Sequence, residues 1–230
     1  MIQRGLIKSE LLDHMGSDLS VVNAARVSFA KTAESFSEKD EKLINYLAKH
    51  NHWSPFGHPQ LSFRYTVPFF VARQEFKHIV GFIRNEESRR YIDDTPVFYL
   101  PDEWRGKPVN AKQGSSEEVV TRITFEYFNG QGTSKYDKSV NDFVEEGYND
   151  ALFRYEKLLE AGIAPEQARM VLPNGVFTSY IVTGSLAAFA RFVNLRKDPH
   201  AQKEIRDLAE LTEAQIAPLF PYSWKALTNV

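Results

Sequence analysis

The chain has 230 residues and no cysteine. That absence excludes a disulfide framework, a thiolate-bound zinc or iron–sulfur centre, and any mechanism that begins with a cysteine nucleophile. Long apolar runs are missing too. Nothing approaches the ~20 residues needed to span a bilayer, and the opening MIQRGLIKSELLDHMG is too charged for a signal-peptide core. The expectation is a soluble, cytoplasmic protein with no membrane partner. There is no GxGxxG and no GxxxxGK[ST], so a bound dinucleotide is not held by a Rossmann or P-loop turn. Charge of one sign is not in excess either: 28 Lys and Arg against 30 Asp and Glu leave a net −2. Any anion site must therefore be local.

What is present is enough apolar material, 43% of residues, for one globular domain over residues 1–230. Ser37 to Lys49 reads as a helix, with Ser37 and Asp40 as capping residues and Leu43, Ile44 and Leu47 as its apolar stripe. Leu61, Phe63, Tyr65 and Val67 alternate with polar residues, the period of a strand with one buried face. From Pro68 the segment PFFVARQEFKHIVGFIR fits a helix whose core face is Val71, Phe76, Ile79, Val80 and Ile83. Residues 101–137, rich in glycine and polar side chains, read as a variable surface excursion.

Beyond the excursion, Val140 to Leu159 has helical spacing and Gly162 stands where a left-handed cap ends a helix. Pro165 opens a short helix closed by Pro173. Val176, Thr178, Tyr180 and Val182 mark a second strand, and Leu186, Phe189, Phe192 and Val193 another helix. Asp198-Pro199 supplies an N-cap and first position for a last helix carrying Ile205, Leu208 and Ile216. Strands and helices in irregular order indicate an α+β fold with a central, mostly antiparallel sheet.

Between Arg64 and Arg90 six basic residues face three acidic ones, a local +3 that leaves −5 for the rest. Such a strip is either a solvated helix face or an anion site. On the expected helix Arg73, Lys77 and either Arg84 or Val80 step by about one turn, with Gln74 and His78 on the adjacent row, and arginine forks grip phosphate oxygens in pairs. A phosphate-bearing small molecule is the natural ligand. The next segment, NEESRRY, adds Glu86, Glu87, Ser88, Arg89 and Arg90, a polar turn after that helix. Ser88 is first a hydrogen-bonding group, since a hydroxyl nucleophile needs an activating base and none is evident. His50, His52 and His58 match no metal-binding spacing, so no metal is expected. Arg169 and Arg196 are helix-end arginines that join a cationic pocket if the fold gathers them.

In order along the chain, NAARVSF, HWSPFGH, PFFVARQEFKH with NEESRRY, ARMVLP and FVNLRKDPHAQKEIR resemble the flavin-dependent thymidylate synthases. The family signature is Arg-His-Arg, seven residues, then Ser. Here Lys77, His78 and Ile79 stand in place of the triplet, and eight residues separate Ile79 from Ser88. The extra residue is expected to be absorbed as a π-bulge in the helix, turning Arg84 toward the ligand to replace the guanidinium absent at Ile79. Gly57 stands where the family usually has Glu, and Ser185 where it often has Asn.

The resemblance implies a homotetramer with FAD and dUMP at sites shared between subunits. It places Ser28, His52, Ser54, Lys77, His78, Ile79, Glu86, Ser185, Arg191 and Asn194 at flavin positions. Gln74, Lys77, Glu86, Glu87, Ser88, Arg89, Arg90, Arg169 and Arg196 fall at nucleotide positions, with Arg196 and Ser88 nearest the chemistry. The implied reaction is methylation of dUMP to dTMP, with NADPH reducing FAD, the flavin supplying hydride and 5,10-methylenetetrahydrofolate the carbon. Two alternatives stand beside it: a related flavoprotein acting on another pyrimidine nucleotide, and a nucleic-acid-binding module using the 64–90 strip. The resemblance implies no nucleic-acid partner.

Overall fold

The computed structural model describes residues 2–92, 94–109 and 114–228. In chain order the elements are β1 (Gln3–Arg4), β2 (Lys8–Met15), α1 (Asp18–Arg26), α2 (Glu38–Lys49), β3 (Gln60–Pro68), α3 (Phe69–Glu75), β4 (Phe82–Glu86), β5 (Val97–Phe98), β6 (Arg122–Phe128), β7 (Thr133–Ser139), α4 (Val140–Glu160), α5 (Pro165–Ala168), β8 (Phe177–Ser185), α6 (Leu186–Arg196), α7 (Lys203–Ile216) and α8 (Pro221–Thr228). Single turns of 3₁₀ helix cover Val27–Phe29, Ser54–Gly57 and Arg169–Val171. The α+β expectation holds.

The chain forms two compact units. One comprises Met1–Leu6, Pro68–Phe70 and Glu87–Thr178; the other comprises Ile7–Val67, Val71–Glu86 and Ser179–Val230. The second is built on a four-stranded sheet in the order β2-β3-β8-β4, with β2 antiparallel to β3 and β4 antiparallel to β8. Leu61, Phe63, Tyr65 and Val67 are all buried, as their alternation predicts. Phe63 lies 5.2 Å from Phe189 of α6, and the Thr212 hydroxyl of α7 donates to the Tyr65 hydroxyl at 2.9 Å, so these two helices cover that face. Each aromatic ring buried there contributes about 2–3 kcal/mol. The N-terminus of α2 follows the capping residues read from sequence: Ser37 is the N-cap, and its amide donates to the Asp40 carboxylate at 2.8 Å.

The first unit has its own core of Ile2, Phe98, Leu152, Tyr155, Ala168 and Val176. Its long helix α4 ends where Gly162 takes φ +82. Ile163 N–H donates to the Leu158 carbonyl and Gly162 N–H to the Leu159 carbonyl, both at 2.9 Å, the double closure of a Schellman cap. The expected excursion carries an antiparallel hairpin, β6 with β7; residues 110–113 of it lie outside the described residues. Phe125, Tyr127 and Phe128 on β6 are all exposed, so the strand shows no buried-face alternation for a sequence reading to find.

Two expectations are corrected. The segment from Pro68 to Arg84 is not one helix. α3 stops at Glu75, a turn follows, and Phe82–Glu86 is the strand β4, paired with β8 from Phe82↔Gly184 to Glu86↔Tyr180. Ile79, Val80 and Ile83, assigned by periodicity to a core face, are 71–75% exposed. Gly81, at φ +82, makes the break in a conformation that an L-residue rarely adopts, and strand pairing outweighs the local helical period. There is thus no helix here to hold a π-bulge, and NEESRRY does not cap one. Arg73, Lys77 and Arg84 also share no helix face. The last expected helix is displaced as well. Asp198 Oδ1 accepts from His200 N–H at 2.7 Å in a local turn, and α7 begins at Lys203 behind Gln202.

Candidate active site

In the second unit, the C-termini of α3 and α6 and the strand β4 bring four charged side chains and an imidazole together. Glu75, the last residue of α3, is 1% exposed. Arg84 of β4 grips it with a fork, Nε to Oε2 at 2.8 Å and Nη2 to Oε1 at 2.7 Å. The same Nη2 donates to the carbonyl oxygens of His78 at 2.5 Å and Glu75 at 3.3 Å. The Tyr180 hydroxyl donates to Glu75 Oε2 at 3.1 Å. Burial pushes the Glu75 carboxyl above its ordinary value, and the Arg84 fork is the strongest influence holding it down. Burial also holds the Tyr180 and Tyr65 phenols well above their ordinary value, so both stay neutral.

Arg196 closes α6. Its Nε donates to His78 Nε2 at 2.9 Å and its Nη2 to the Gln74 carbonyl at 3.0 Å. Accepting at Nε2 requires that nitrogen to be bare. Burial, followed by the nearby Arg196, Arg84 and Arg191 charges, lowers the His78 pKa to about 4, so the imidazole is neutral at pH 7. Arg191 Nη2 donates to the Val80 carbonyl at 2.8 Å. Among the described residues neither Arg191 nor Arg196 has a carboxylate in ion-pair contact. Arg196 uses two of its five N–H donors on His78 and Gln74, and the others have no partner among the described residues. This corner of the unit carries uncompensated positive charge.

The same unit holds a cleft of about 360 Å³ where α1 meets the loop after α2, lined in part by Ser28, Asn51, His52, Trp53 and Ser54. Trp53 is exposed, which leaves an aromatic face beside hydroxyl, amide and imidazole groups. That donor set suits a planar heteroaromatic with polar edges. The volume is at the small end for ligand pockets, enough for one part of a dinucleotide. The neighbouring His50 and His52 rings pack on Tyr46, with centroids at 4.4 and 5.9 Å. No cluster of three potential metal ligands occurs among the described residues.

The first unit holds five of the predicted nucleotide residues: Glu87, Ser88, Arg89, Arg90 and Arg169. Ser88 Oγ accepts from the N–H and Nε of Arg90, both at 3.3 Å. Arg89 is buried and turned to Asp94, whose carbonyl and carboxylate it meets at 3.0 and 3.1 Å. Arg90 stacks over Tyr91, 4.9 Å from the ring centroid. Arg169 donates to the Glu166 carbonyl at 3.2 Å. Glu87 precedes this turn.

The sequence profile of the family described as "Thymidylate synthase complementing protein" matches residues 10–222. A flavin-dependent thymidylate synthase of Thermosipho africanus is 36% identical over 91% of this chain and 84% of its own. One from Kosmotoga olearia is 34% identical over 100% of this chain and 92% of its own. The chain belongs to the flavin-dependent thymidylate synthase family. Among solved structures, a UMP/dUMP methylase, PolB, of Streptomyces cacaoi bound with 5-Br dUMP superposes with a TM-score of 0.79 at 31% identity, covering 100% of this chain and 97% of that one. The same methylase bound with 5-Br UMP gives 0.75 at 30%.

Within this family the chain departs from the signature at Lys77 and Ile79. Ile79, in the place of the second signature arginine, is 73% exposed, and Arg84 does not substitute for it: its fork is closed on Glu75. Lys77 is exposed in the turn after α3, and Glu86 lies at the end of β4. Ser185 caps α6, its Oγ accepting from Ala188 N–H at 3.2 Å. Asn194 donates to the Leu227 carbonyl and Gln74 to Gln202. Sequence reasoning did not find Glu75 or Tyr180. A signal was there, because Glu75 shares the buried face of α3 with Val71 and Ala72, and an acid on an apolar stripe needs a cation.

Proposed function

We propose that the chain methylates dUMP to dTMP, using FAD, NADPH and 5,10-methylenetetrahydrofolate. The observation that carries this reading is the pair of guanidiniums, Arg191 and Arg196, without a carboxylate partner beside a neutral His78. Cations fixed by protein carbonyls and an imidazole keep their charge for an anionic ligand. The family relatives are named for thymidylate synthesis, and the solved neighbours carry brominated uridine nucleotides. Arg196 stabilises negative charge developing on the pyrimidine, while Arg90 and Arg169 hold the nucleotide in place, converting binding into orientation. Gln74, Lys77, Glu86, Glu87, Ser88 and Arg89 complete the nucleotide positions, with Ser88 acting as a hydrogen-bonding group.

Ser28, His52 and Ser54 would hold part of the flavin in the cleft, with Lys77, His78, Ile79, Glu86, Ser185, Arg191 and Asn194 at its remaining positions. FAD, when bound, supplies the hydride chemistry. No thiol is available to add to the uracil ring, since the chain has no cysteine. Exposed Ile79, Val80 and Ile83 support self-association into a homotetramer, as exposed apolar side chains gain from burial. No helix among the described residues is long and apolar enough to cross a membrane, in keeping with a cytoplasmic enzyme.

The deciding assay supplies purified protein with FAD, NADPH, methylenetetrahydrofolate and dUMP and separates nucleotides by chromatography. The expected outcome is a yellow protein that forms dTMP. A colourless protein that cannot be reconstituted with FAD and forms no dTMP would overturn the reading. UMP is the second substrate to supply, because the neighbouring methylase is named for both nucleotides and is seen with analogues of each.

A further inference from the structure

Arg84 lies in the lengthened stretch between Ile79 and Ser88, and it is turned inward. It does not face a ligand: its side chain is 14% exposed and its fork is closed on Glu75. A buried ion pair of this kind contributes little net stability, since desolvating two charges offsets their attraction. What it supplies is fixed geometry. One guanidinium nitrogen holds the carbonyls of Glu75 and His78 at the two ends of a four-residue turn, while Tyr180 fixes the carboxylate from β8. His78, whose backbone is gripped in this way, presents Nε2 to Arg196.

We propose that the Glu75–Arg84 pair is a positioning element for the nucleotide site, clamping the turn through Glu75 and His78 so that the imidazole orients the Arg196 guanidinium. The inference rests on the dUMP reading above and deepens it. Among the described residues the charges acting on His78 are Arg196 and Arg191 of α6 and Arg84 of β4, and the His78 N–H donates to the Glu75 carbonyl at 3.0 Å. The Phe192 ring packs on the imidazole in a T-shaped contact, with centroids 5.2 Å apart. Arg84 holds the His78 carbonyl and Arg196 meets its ring nitrogen, so backbone and ring each have a fixed contact.

The test is the double variant Glu75→Gln/Arg84→Met, which removes both charges together and leaves neither buried alone. Three quantities are read on the folded protein: thermal midpoint, the His78 titration followed by NMR and assigned by its loss in His78→Gln, and dUMP affinity by calorimetry. The double variant is expected to stay folded, with His78 titrating upward from about 4 and dUMP binding weakened on the order of tenfold or more, the scale of a small misplacement at a site. A folded double variant with unchanged His78 titration and unchanged dUMP affinity would overturn the clamp. So would a wild-type His78 that titrates at its ordinary value, a measurement that needs no variant. If wild-type His78 titrates near 4 and moves in the double variant, yet dUMP does not bind wild type, the clamp stands and the substrate reading fails.

Discussion

Arg196 Nε donates to His78 Nε2 across 2.9 Å, joining the last residue of α6 to the turn after α3. The bond exists only while that imidazole nitrogen is unprotonated. The His78 pKa in the fold is about 4, below the roughly 6.5 of an unfolded chain. Between these values the unfolded chain binds the proton and the folded one does not, so stability falls as pH drops. The contribution is fully present above about pH 6.5 and is lost as the pH approaches the folded value. Urea unfolding of wild type and His78→Gln over this window is expected to show a gap that narrows toward low pH. A pH-independent gap would remove His78 as the titrating group.

Asp40 caps α2 and pairs with Arg26 at 2.5 Å while 1% exposed. Burial pushes its carboxyl up, but the Ser37 hydrogen bonds and the Arg26 charge outweigh it and hold the pKa below its ordinary value. Asp40→Ala removes the acceptor of the capping box and the partner of the partly exposed Arg26, with an expected cost of about 1–2 kcal/mol. Asp40→Asn keeps an acceptor for Ser37 and is expected to cost less. Thermal melts of the two variants should rank in that order.

Ser28 is exposed at the rim of the 360 Å³ cleft, so a large side chain there fills the cleft without entering the core. Ser28→Trp is expected to leave the thermal midpoint near wild type and to reduce the flavin that co-purifies, read as visible absorbance per protein. Retention of wild-type flavin content would move the flavin out of this cleft.

The absence of cysteine gives a prediction that needs no mutagenesis. A thiol-alkylating reagent should leave dTMP formation unchanged, whereas an enzyme that activates uracil with a thiolate would be silenced. Mass spectrometry of the treated protein should show no thiol adduct. Inactivation would implicate another side chain at the site.

Much of the scaffold was legible because it is local. The alternation at Leu61–Val67 follows from one face of β3 meeting α6 and α7, and the Ser37–Asp40 and Gly162 caps satisfy backbone groups within a single turn. The 68–84 segment was misread because its apolar spacing suits a helix, whereas Ile79, Val80 and Ile83 are exposed and β4 takes its hydrogen bonds from β8. β6 was invisible because its aromatic residues lie on the surface.

At the site, residue types alone set the chemistry available: arginines and an imidazole near an expected phosphate, and no thiol anywhere. The task of each guanidinium comes from the fold. Arg84 and Glu75 lie nine residues apart on different elements and meet only because β4 pairs with β8. Arg196 reaches His78 from 118 residues away. A guanidinium is spent on a carboxylate or left for a ligand according to which acceptors the fold carries within about 3 Å of it, and that distance is not written in the order of residues along the chain.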